Sequence, residues 1–527
     1  MRQNRRDFLK WASFAAIGVT LPGPKARGAA SRRPNILLIV ADEETQLPPA
    51  DRAIIQTPNR AWLEQRSTRF TRFFCMSPQC TPSRSSLQTG LYPHQTNHVA
   101  NTNKPWGGPF SPGTEFLAVD MQKAGYRTGY GGKWHIYNKT QECGYEWVKG
   151  SKDDGKQCVL FRDFLATDDG RPWFYQANFI NPHDIYSFTP LFEGGPAGGE
   201  GGESADSKEG KRQDPTAEYK KRALEIRRRH PELALQPGWD QPIRDLPKAI
   251  GGWALPFKDD GRYGKMTKEQ QRDYWLNYKA LYLALYEFLD RDLGALLNVL
   301  RAENPKTLEN TIIIYTADHG DMAATHDVLK YKGPLEFESL LNIPLAIAGP
   351  GVPANQVRSQ MASQIDLVYT ICDLAGARNP NEGKSDARSL VPMLRDPSAP
   401  GREYVFCEYY YLGGIQPLRV IRSEQYKYCV HLAEKKTVLF DLEKDPTETR
   451  NVSGDPAYKD IETDLAAKLK AWQEQTSDPL RNGNIEYEPW RRKKSGGDKE
   501  ASGQNAAAEG KNKGPKRKKA KNGKGDS

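Results

Sequence analysis

The chain has 527 residues and a formal net charge of +10. Residues 1–33 carry +7 and residues 491–527 carry +9, which leaves −6 for residues 34–490. The basic balance is therefore a property of the two ends and gives no support for a nucleic-acid-binding enzyme. Seven cysteines in this length exclude a disulfide scaffold. Cys143 and Cys158 could pair in an oxidising compartment, although nothing in the sequence requires it.

Residues 1–33 are predicted to be an export signal. The segment Asn4–Lys10 has the paired arginines of a twin-arginine signal, an apolar stretch follows at Trp11–Leu21, and small residues at Ala26–Ala30 offer a cleavage site. The apolar stretch is too short to span a bilayer of about 30 Å as a helix. We therefore expect export by the twin-arginine machinery to the periplasm or outside the cell, with no transmembrane span in the mature protein.

A buried strand is predicted at 33–42, because this run is continuously apolar and rich in β-branched residues. Asp42, Glu43 and Glu44 follow at its C-terminal end, where ligands of open α/β sheets bind. Hard cations prefer carboxylate oxygens, so these acids are a candidate metal site. A solvated acidic loop is the alternative, and this segment alone does not separate the two.

The segment Cys80–Gly90 follows an alternating strand predicted at Ser67–Phe74 and is predicted to be a helix. Pro82 suits its first turn and Gly90 ends it. The N-terminus of a helix favours anions, so a reactive cysteine there, with Arg84 beside it, would face an anionic substrate. The alternative is a structural cysteine near a surface arginine.

A helix is predicted at 114–125, followed by a strand with a glycine-rich exit at Gly125–His135. Glycines let a backbone pass close to a ligand. In an extended chain, Lys133 and His135 point to the same side. This pair therefore suits one cation and one proton-transfer group aimed at a single centre.

Another buried strand is predicted at Pro172–Ile180, and His183 follows its C-terminal end. A histidine after a proline is more often a turn residue, but its position after a buried strand favours a place in the site. Residues 190–262 are predicted to be an insertion over the rim of the site, where substrate selectivity would reside. Within it, residues 193–215 are rich in Gly, Glu, Ser and Lys and are predicted to be flexible.

An amphipathic helix is predicted at 267–300, with Asp290 and Asp292 on its polar side and without a chemical role. The strongest buried strand of the chain follows at Thr311–Asp321, and it carries Asp318 and His319 near its end. These two residues add a carboxylate and an imidazole at another strand end.

Three strand-like runs are predicted towards the C-terminus, at Tyr404–Tyr410, Leu418–Leu432 and Val438–Leu442. A helix is predicted near 457–475. The tail at 491–527 is of low complexity, rich in Lys, Gly, Ala and Asn, and is predicted to be disordered. It could bind acidic glycans or surfaces, or simply keep the protein in solution.

Five of these segments together resemble the sulfatase family. Cys80–Gly90 matches a pattern that runs Cys-x-Pro-Ser-Arg and ends in Thr-Gly, and Gly132–His135 matches Gly-Lys-Trp-His. Pro182-His183 matches the Pro-His element, Thr316–Gly320 matches Thr-Ala-Asp-His-Gly, and Lys332 takes the lysine position of a later loop. The motifs follow the order of the family at the ends of successive predicted strands, which is more specific than any one motif.

The resemblance covers about residues 34–475. It implies an alkaline-phosphatase-like α/β sandwich, with a large, mostly parallel sheet flanked by helices and a small C-terminal antiparallel subdomain. The catalytic domain is then predicted at 34–396, with the insertion at 190–262, and the C-terminal subdomain at 397–490. Asn342 stands where relatives commonly have arginine, so no role is carried over to it.

The resemblance also implies a modification and a metal. A formylglycine-generating enzyme would oxidise Cys80 to formylglycine, an aldehyde whose hydrate is the nucleophile. One divalent cation, Ca²⁺ or Mg²⁺, would assist the attack on the ester. Glu43 would either ligate this cation directly or contact the residues that ligate it. The other implied metal ligands are Asp42, Cys80, Asp318 and His319. The implied catalytic residues are Cys80, Arg84, Lys133, His135, His183 and Lys332.

The resemblance implies two kinds of role for these residues: some bind the nucleophile or the substrate, and one transfers a proton. Arg84 and Lys133 would hold the nucleophile. His183 and Lys332 would hold the sulfate oxygens and assist the departing alcohol. His135 would take the proton from the second hydroxyl of the hydrate, which ejects sulfate and restores the aldehyde.

The function implied is hydrolysis of sulfate monoesters, with carbohydrate sulfates favoured over aryl sulfates and choline sulfate. This choice of substrate rests on analogy. One alternative is a phosphonate or phosphodiester hydrolase of the same superfamily, which can share the formylglycine and the Asp-His pair. Another is a non-catalytic protein that binds sulfated glycans, if Cys80 escapes oxidation.

Overall fold

The structure is a computed structural model. It describes residues 33–188, 192, 215–240, 263–303, 305–326, 330–411 and 414–491. The predicted export signal, the predicted flexible segment 193–215 and the predicted tail lie outside the described residues except for Arg33, Pro215 and Arg491.

The described residues form helices and strands in alternation through the first two thirds of the chain. The helices are α1 (Pro49–Ile54), α2 (Pro58–Glu64), α3 (Cys80–Thr89), α4 (Pro93–Thr96), α5 (Leu117–Lys123), α6 (Gln157–Leu165), α7 (Thr216–Arg229), α8 (Lys268–Ala302), α9 (Pro305–Glu309), α10 (Glu338–Leu341), α11 (Gln364–Ala375), α12 (Val391–Arg395) and α13 (Lys459–Gln475). The strands are β1 (Asn35–Asp42), β2 (Ser67–Phe74), β3 (Arg127–Gly132), β4 (Trp147–Lys149), β5 (Trp173–Pro182), β6 (Thr311–Ala317), β7 (Asn342–Ala348), β8 (Gln356–Arg358), β9 (Ala362–Ser363), β10 (Val405–Tyr411), β11 (Ile415–Arg422), β12 (Tyr426–His431) and β13 (Lys436–Asp441).

Among the described residues, a large mixed sheet has the strand order β4-β3-β5-β1-β6-β7-β2-β8, with β9 also paired to β2. β1 lies between β5 and β6 and runs parallel to both. β3 and β4 extend the parallel part beyond β5. β7 runs antiparallel to β6 and to β2. The predicted mostly parallel sheet is confirmed.

The burial of β1 and β6 explains their composition. Both strands are buried along nearly their whole length, because the sheet is covered by helices. Strands of this kind face apolar surroundings on both sides, so they lack the alternation of a half-exposed strand. The 35-residue helix α8 packs on β5 and against α2, α6 and α7. No helix among the described residues combines the length and apolar character needed to cross a membrane.

The small C-terminal sheet is confirmed, with one difference in its strands. The run predicted at Leu418–Leu432 is two antiparallel strands, β11 and β12, joined by a turn. Within the turn the backbone N–H of Ser423 donates to the carbonyl of Tyr426 at 2.8 Å. The four strands β10 to β13 are paired in chain order. Trp472 of α13 covers them, and its ring stacks on Phe406 at 4.8 Å between centroids.

The predicted polar side of α8 is wrong at two positions. Asp290 and Asp292 are buried, at 3% and 6% exposure. The carboxylate of Asp290 accepts hydrogen bonds from the backbone N–H groups of Asn59 and Arg60, at 3.1 and 2.6 Å. These N–H groups lie in the first turn of α2, where an intrahelical acceptor is missing. Asp290 therefore caps a neighbouring helix, a contact that the pattern of α8 alone does not predict.

The predicted strand Gly125–His135 ends early, because β3 stops at Gly132. Gly132 has φ +92°, and a Cβ atom there would lie 2.0 Å from the carbonyl oxygen of Asn178. His135 also has positive φ, at +57°. The chain therefore turns sharply after β3, and the expected alternation of Lys133 and His135 along an extended chain is wrong.

The cysteines do not form disulfides in the structure. All seven lie within the described residues and all are free, including Cys143 and Cys158. The pairing that the sequence left open is therefore not formed here.

Candidate active site

The predicted polar residues meet at one edge of the large sheet. β3, β5, β1 and β6 are adjacent and parallel, so their C-terminal ends lie side by side. Asp42 ends β1, Asp318 follows β6, His183 follows β5, and Lys133 follows β3. Ligands of open α/β sheets bind at this edge, in the crevice outside the carboxyl ends of the strands.

Helix α3 presents Cys80 at the same edge. Cys80 is the first residue of α3 and is fully buried. Its Sγ lies 3.1 Å from Nζ of Lys332 and 3.3 Å from Nε2 of His319. Nζ of Lys133 and Oδ1 of Asp42 each lie 3.7 Å away. The thiol is therefore surrounded by groups from four separate parts of the chain.

Among the residues that the structure describes, two overlapping groups of side chains can hold a metal ion. Within each group the ligand atoms lie within 4.8 Å of one another, and every member is buried. The first group consists of Asp42, Cys80, Asp318 and His319. The second group consists of Asp42, Glu43 and His183. All five residues predicted to ligate a metal are therefore found here.

The imidazole of His319 is oriented for ligation. Its Nδ1 lies 2.8 Å from the carbonyl oxygen of Gly320, so Nδ1 carries the hydrogen and donates. Nε2 then faces Sγ of Cys80 and Oδ1 of Asp318, the latter at 3.7 Å. A second-shell carbonyl of this kind fixes the tautomer of metal-binding histidines. Burial opposes protonation of the ring, but Asp318 and Cys80 together outweigh it and raise the pKa of His319 to about 9.

Arg84 joins the two central carboxylates. Its Nε donates to Oδ2 of Asp318 at 2.9 Å, and its Nη2 donates to Oδ2 of Asp42 at 3.0 Å. Nη1 donates at 3.2 Å to Oδ1 of Asn178 and to the backbone carbonyl of Lys133. The guanidinium is almost fully buried, so these charge-assisted bonds fix both carboxylates firmly.

The ammonium groups of Lys133 and Lys332 counteract the effect of burial on the pKa of the Cys80 thiol. Burial and the carboxylate of Asp42 favour the neutral thiol, but Lys133, Lys332 and His319 together outweigh both, so the pKa of Cys80 lies well below its ordinary value. Lys133 also forms an ion pair with Asp42. Nζ of Lys332 donates to Oε2 of Glu43 at 2.9 Å. Position 80 therefore lies in a field that favours negative charge.

His135 and His183 are neutral in this field. Burial lowers the pKa of each to about 3, and the ammonium groups of Lys133 and Lys332 add to the effect. Nδ1 of His135 has no hydrogen-bond partner among the described residues. Nε2 of His183 lies 3.7 Å from Oε2 of Glu43. Both rings are therefore unprotonated at neutral pH.

Glu43 has one carboxylate oxygen without a hydrogen-bond partner in the described part of the chain, its buried Oε1. Burial raises the pKa of Glu43 well above its ordinary value, although Lys332 opposes this. Asp321 lies beside Glu43, and burial raises its pKa to about 7. An unpaired buried oxygen of this kind is costly unless a ligand occupies the space beside it.

Sequence reasoning missed several residues that support the site. Asn178 accepts from Arg84, and Gln364 donates its Nε2 to the carbonyl of Asp318 at 3.1 Å. Oε1 of Gln364 accepts from the hydroxyl of Ser83 at 2.9 Å. The polar residues Gln176 and Asn178 within an otherwise apolar strand were a signal that could have found one of them.

The chain is similar to known sulfatases over most of its length. The Sulfatase family profile matches residues 34–377, and the profile described as N-sulphoglucosamine sulphohydrolase, C-terminal, matches residues 331–475. The sulfatase YidJ of Escherichia coli, itself uncharacterised, is 27% identical over 88% of this chain and 91% of its own length. A choline-sulfatase of Rhizobium meliloti is 27% identical over 87% and 93%. A Δ4,5-hexuronate-2-O-sulfatase of Bacteroides thetaiotaomicron is 25% identical over 90% and 95%.

Solved structures share the fold. That of BT1596, a 2-O glycosaminoglycan sulfatase, has a TM-score of 0.70 at 23% identity and covers 87% of this chain and 96% of its own. The phosphonate monoester hydrolase of Agrobacterium radiobacter has a TM-score of 0.60 at 21% identity and covers 84% and 96%. At these identities the likeness concerns the fold.

The fold and the site define a hydrolase of the alkaline-phosphatase superfamily. Because the family profile covers well over half of the chain, the protein belongs to the sulfatase family. It is a sulfuric ester hydrolase. The resemblance drawn from the motifs alone is confirmed.

Proposed function

We propose that the protein hydrolyses sulfate monoesters with a formylglycine made from Cys80 and one divalent cation. The observation that carries the proposal is the position of Cys80, whose Sγ lies within 3.7 Å of Asp42, Lys133 and Lys332. A thiol at the N-terminus of a helix, beside cations and carboxylates, stands where a nucleophile would meet an anionic ester.

The donor set fits Ca²⁺ or Mg²⁺. The carboxylates of Asp42 and Asp318 supply oxygen ligands. The unpartnered Oε1 of Glu43 supplies either a further ligand to the cation or a contact to one of these ligands. The soft thiol of Cys80 suits such cations poorly, whereas oxygens at position 80 would suit them well. When bound, the cation supplies Lewis acidity to the ester and to a hydroxyl at position 80.

Adding Ca²⁺ to chelator-treated protein is expected to stabilise the folded state by about 2.7 kcal/mol at 100 times the dissociation constant. The reason is that the fully buried carboxylates of Asp42 and Asp318 are brought together, and so bind the cation, only in the folded state. Thermal unfolding with and without Ca²⁺ measures this shift. Asp318→Asn should lose most of it, and an equal shift in that variant would count against the proposed ligands.

The roles proposed for the cationic and imidazole groups follow from their neighbours. Arg84 orients the carboxylates of Asp42 and Asp318, and Lys133 holds the nucleophile at position 80. Lys332 and His183 also contact Cys80 and would hold the sulfate oxygens and the departing alcohol.

His135 is proposed as the base. Its Nδ1 has no hydrogen-bond partner among the described residues, and with a pKa of about 3 the ring is unprotonated at neutral pH. It would take a proton from a hydroxyl at position 80 in the step that releases sulfate. The carbonyl of His135 accepts from the hydroxyl of Thr81 at 2.8 Å, which ties the base to the helix that carries Cys80.

The proposed substrates are sulfated carbohydrates. Support comes from the names of two similar proteins, a hexuronate-2-O-sulfatase and a 2-O glycosaminoglycan sulfatase. The similar choline-sulfatase keeps choline sulfate as a second candidate. The proposed place of action is the periplasm or the outside of the cell, after twin-arginine export directed by residues 1–33.

Mass spectrometry of the peptide that contains Cys80 tests the modification. Conversion of the thiol to the aldehyde is expected to lower the peptide mass by about 18 Da. The protein must be produced with a formylglycine-generating enzyme, and the peptide that contains Cys372 serves as the unmodified control. An intact thiol in a protein that still turns over sulfate esters would overturn the formylglycine proposal.

A panel of substrates tests the bond that is cleaved. We expect kcat/KM for sulfated mono- and disaccharides to exceed that for aryl phosphonates and phosphodiesters, with choline sulfate and an aryl sulfate as further arms. The phosphonate monoester hydrolase is the structural neighbour that motivates the comparison. Faster turnover of phosphonates or phosphodiesters would assign the protein to that alternative instead.

A further inference from the structure

The long helix α8 carries a row of tyrosines whose hydroxyl groups reach the loops of the site. The row consists of Tyr274, Tyr278, Tyr282 and Tyr286. Their spacing of four residues puts them along one face of the helix. Tyr282 and Tyr286 bond the loop after β1, where their hydroxyls donate to the carbonyls of Glu43 and Thr45, each at 2.7 Å.

Tyr278 bonds a different loop, the one that carries Lys332. The backbone N–H of Tyr331 donates to the hydroxyl of Tyr278 at 3.0 Å. The same hydroxyl donates to the carboxylate of Asp321, whose two oxygens lie 3.0 and 3.2 Å away. Tyr278 and Asp321 are both fully buried, so water does not compete for these bonds.

Tyr331 has a backbone conformation that needs this support. Its φ is +63°, in the left-handed region that side chains other than glycine seldom adopt. The contacts that hold it there include the bond to Tyr278, a bond from the N–H of Met322 to its carbonyl at 2.9 Å, and its ring stack on Tyr186. The two rings lie 4.1 Å apart at 11°. Such a conformation persists where the surroundings over-determine it, often beside a functional group.

The functional group in this case is Lys332, the next residue. Its Nζ lies 3.1 Å from Sγ of Cys80 and 2.9 Å from Oε2 of Glu43. The backbone at Tyr331 sets the direction in which the chain enters Lys332, and therefore where the ammonium group arrives. A flexible four-carbon side chain would otherwise reach many positions.

We propose that Tyr278 is a positioning residue, which holds Lys332 on the reacting centre through the backbone of Tyr331. The proposal rests on the proposed role of Lys332 in holding the sulfate oxygens. The ring of Tyr278 packs in the core, whereas its hydroxyl holds the backbone that leads into Lys332. Removing the hydroxyl alone therefore separates the two roles.

Tyr278→Phe is expected to lower kcat/KM for an aryl sulfate by about tenfold to a hundredfold, because a small displacement of a contacting group is costly. The ring remains, so the packing of α8 is kept. Tyr126→Phe is the matched control: Tyr126 is also fully buried, and its hydroxyl donates to the carbonyl of Pro34, before β1 at the opposite edge of the sheet. We expect the control to stay within about twofold of wild type.

A double-mutant cycle with Lys332→Ala decides whether Tyr278 acts through Lys332. In the Lys332→Ala background, Tyr278→Phe should cost less than about twofold, because the group that it positions is absent. The same cycle on the binding of inorganic sulfate by calorimetry needs no turnover. Equal losses in both backgrounds, or no loss in wild type, would overturn the role of Tyr278. An unchanged Lys332→Ala variant would overturn the role of Lys332 itself.

Discussion

Cys80→Ala is expected to lower kcat for sulfate esters by on the order of 10⁴-fold or more, as removal of a catalytic nucleophile does in other hydrolases. The fold should remain intact, because alanine continues the first turn of α3 and leaves Arg84 to orient Asp42 and Asp318. Steady-state kinetics of the purified variant, with circular dichroism as the check on folding, measures the loss.

Cys372→Ala is the matched control for this variant. Cys372 is also a fully buried free cysteine, and it lies in α11 away from the cluster around Cys80. Both substitutions remove a small buried side-chain group and leave a cavity, so they share the packing cost. We expect the control to keep its activity per folded molecule. Substantial turnover by folded Cys80→Ala would end the proposal that position 80 supplies the nucleophile.

Arg84→Ala is expected to destabilise the metal-free protein by about 3–5 kcal/mol, because it removes the guanidinium that pairs with two buried carboxylates. Arg84 bonds both Asp42 and Asp318, and all three side chains are almost fully buried. Turnover should fall as well, because the carboxylates lose the orientation that the guanidinium imposes. Urea unfolding in the presence of a chelator measures the stability, and kinetics in Ca²⁺ measures the activity.

Arg69→Ala provides the comparison for a partly exposed ion pair. Arg69 lies 3.7 Å from Glu64, and its side chain is 29% exposed. Arg69→Ala is expected to cost about 0–1 kcal/mol, because water screens the partly exposed guanidinium and Glu64 keeps two other arginine partners. A loss for Arg84→Ala no larger than that for Arg69→Ala would show that Asp42 and Asp318 do not depend on the guanidinium.

Strand ends were the most informative feature of the sequence. The runs before Asp42 and Asp318 are continuously apolar, and such runs are recognisable because both faces of a parallel strand are covered. A polar residue just after such a run must lie at the C-terminal edge of the sheet. His183 was predicted to follow a strand end on the same reasoning, and the structure has it directly after β5.

Local pattern failed where a contact came from a distant part of the chain. Asp290 reads as a polar-face residue of α8 but caps α2, and His135 reads as part of a strand but follows a turn at Gly132. Tyr278 fits the apolar face of α8, and only the fold reveals that its hydroxyl meets Tyr331. Periodicity reports which face is buried, and it carries no information on which group a buried hydroxyl or carboxylate will meet.

The sequence by itself determined the fold class, the family and the residues brought to the sheet edge, because strand composition and motif order are local properties. Only the tertiary structure decided the distances among Cys80, Asp42 and Lys332, the bridging bonds of Arg84, and the support of Tyr331 by α8. The physical reason is that these contacts join segments far apart in the chain, and their geometry depends on how the helices pack on the sheet.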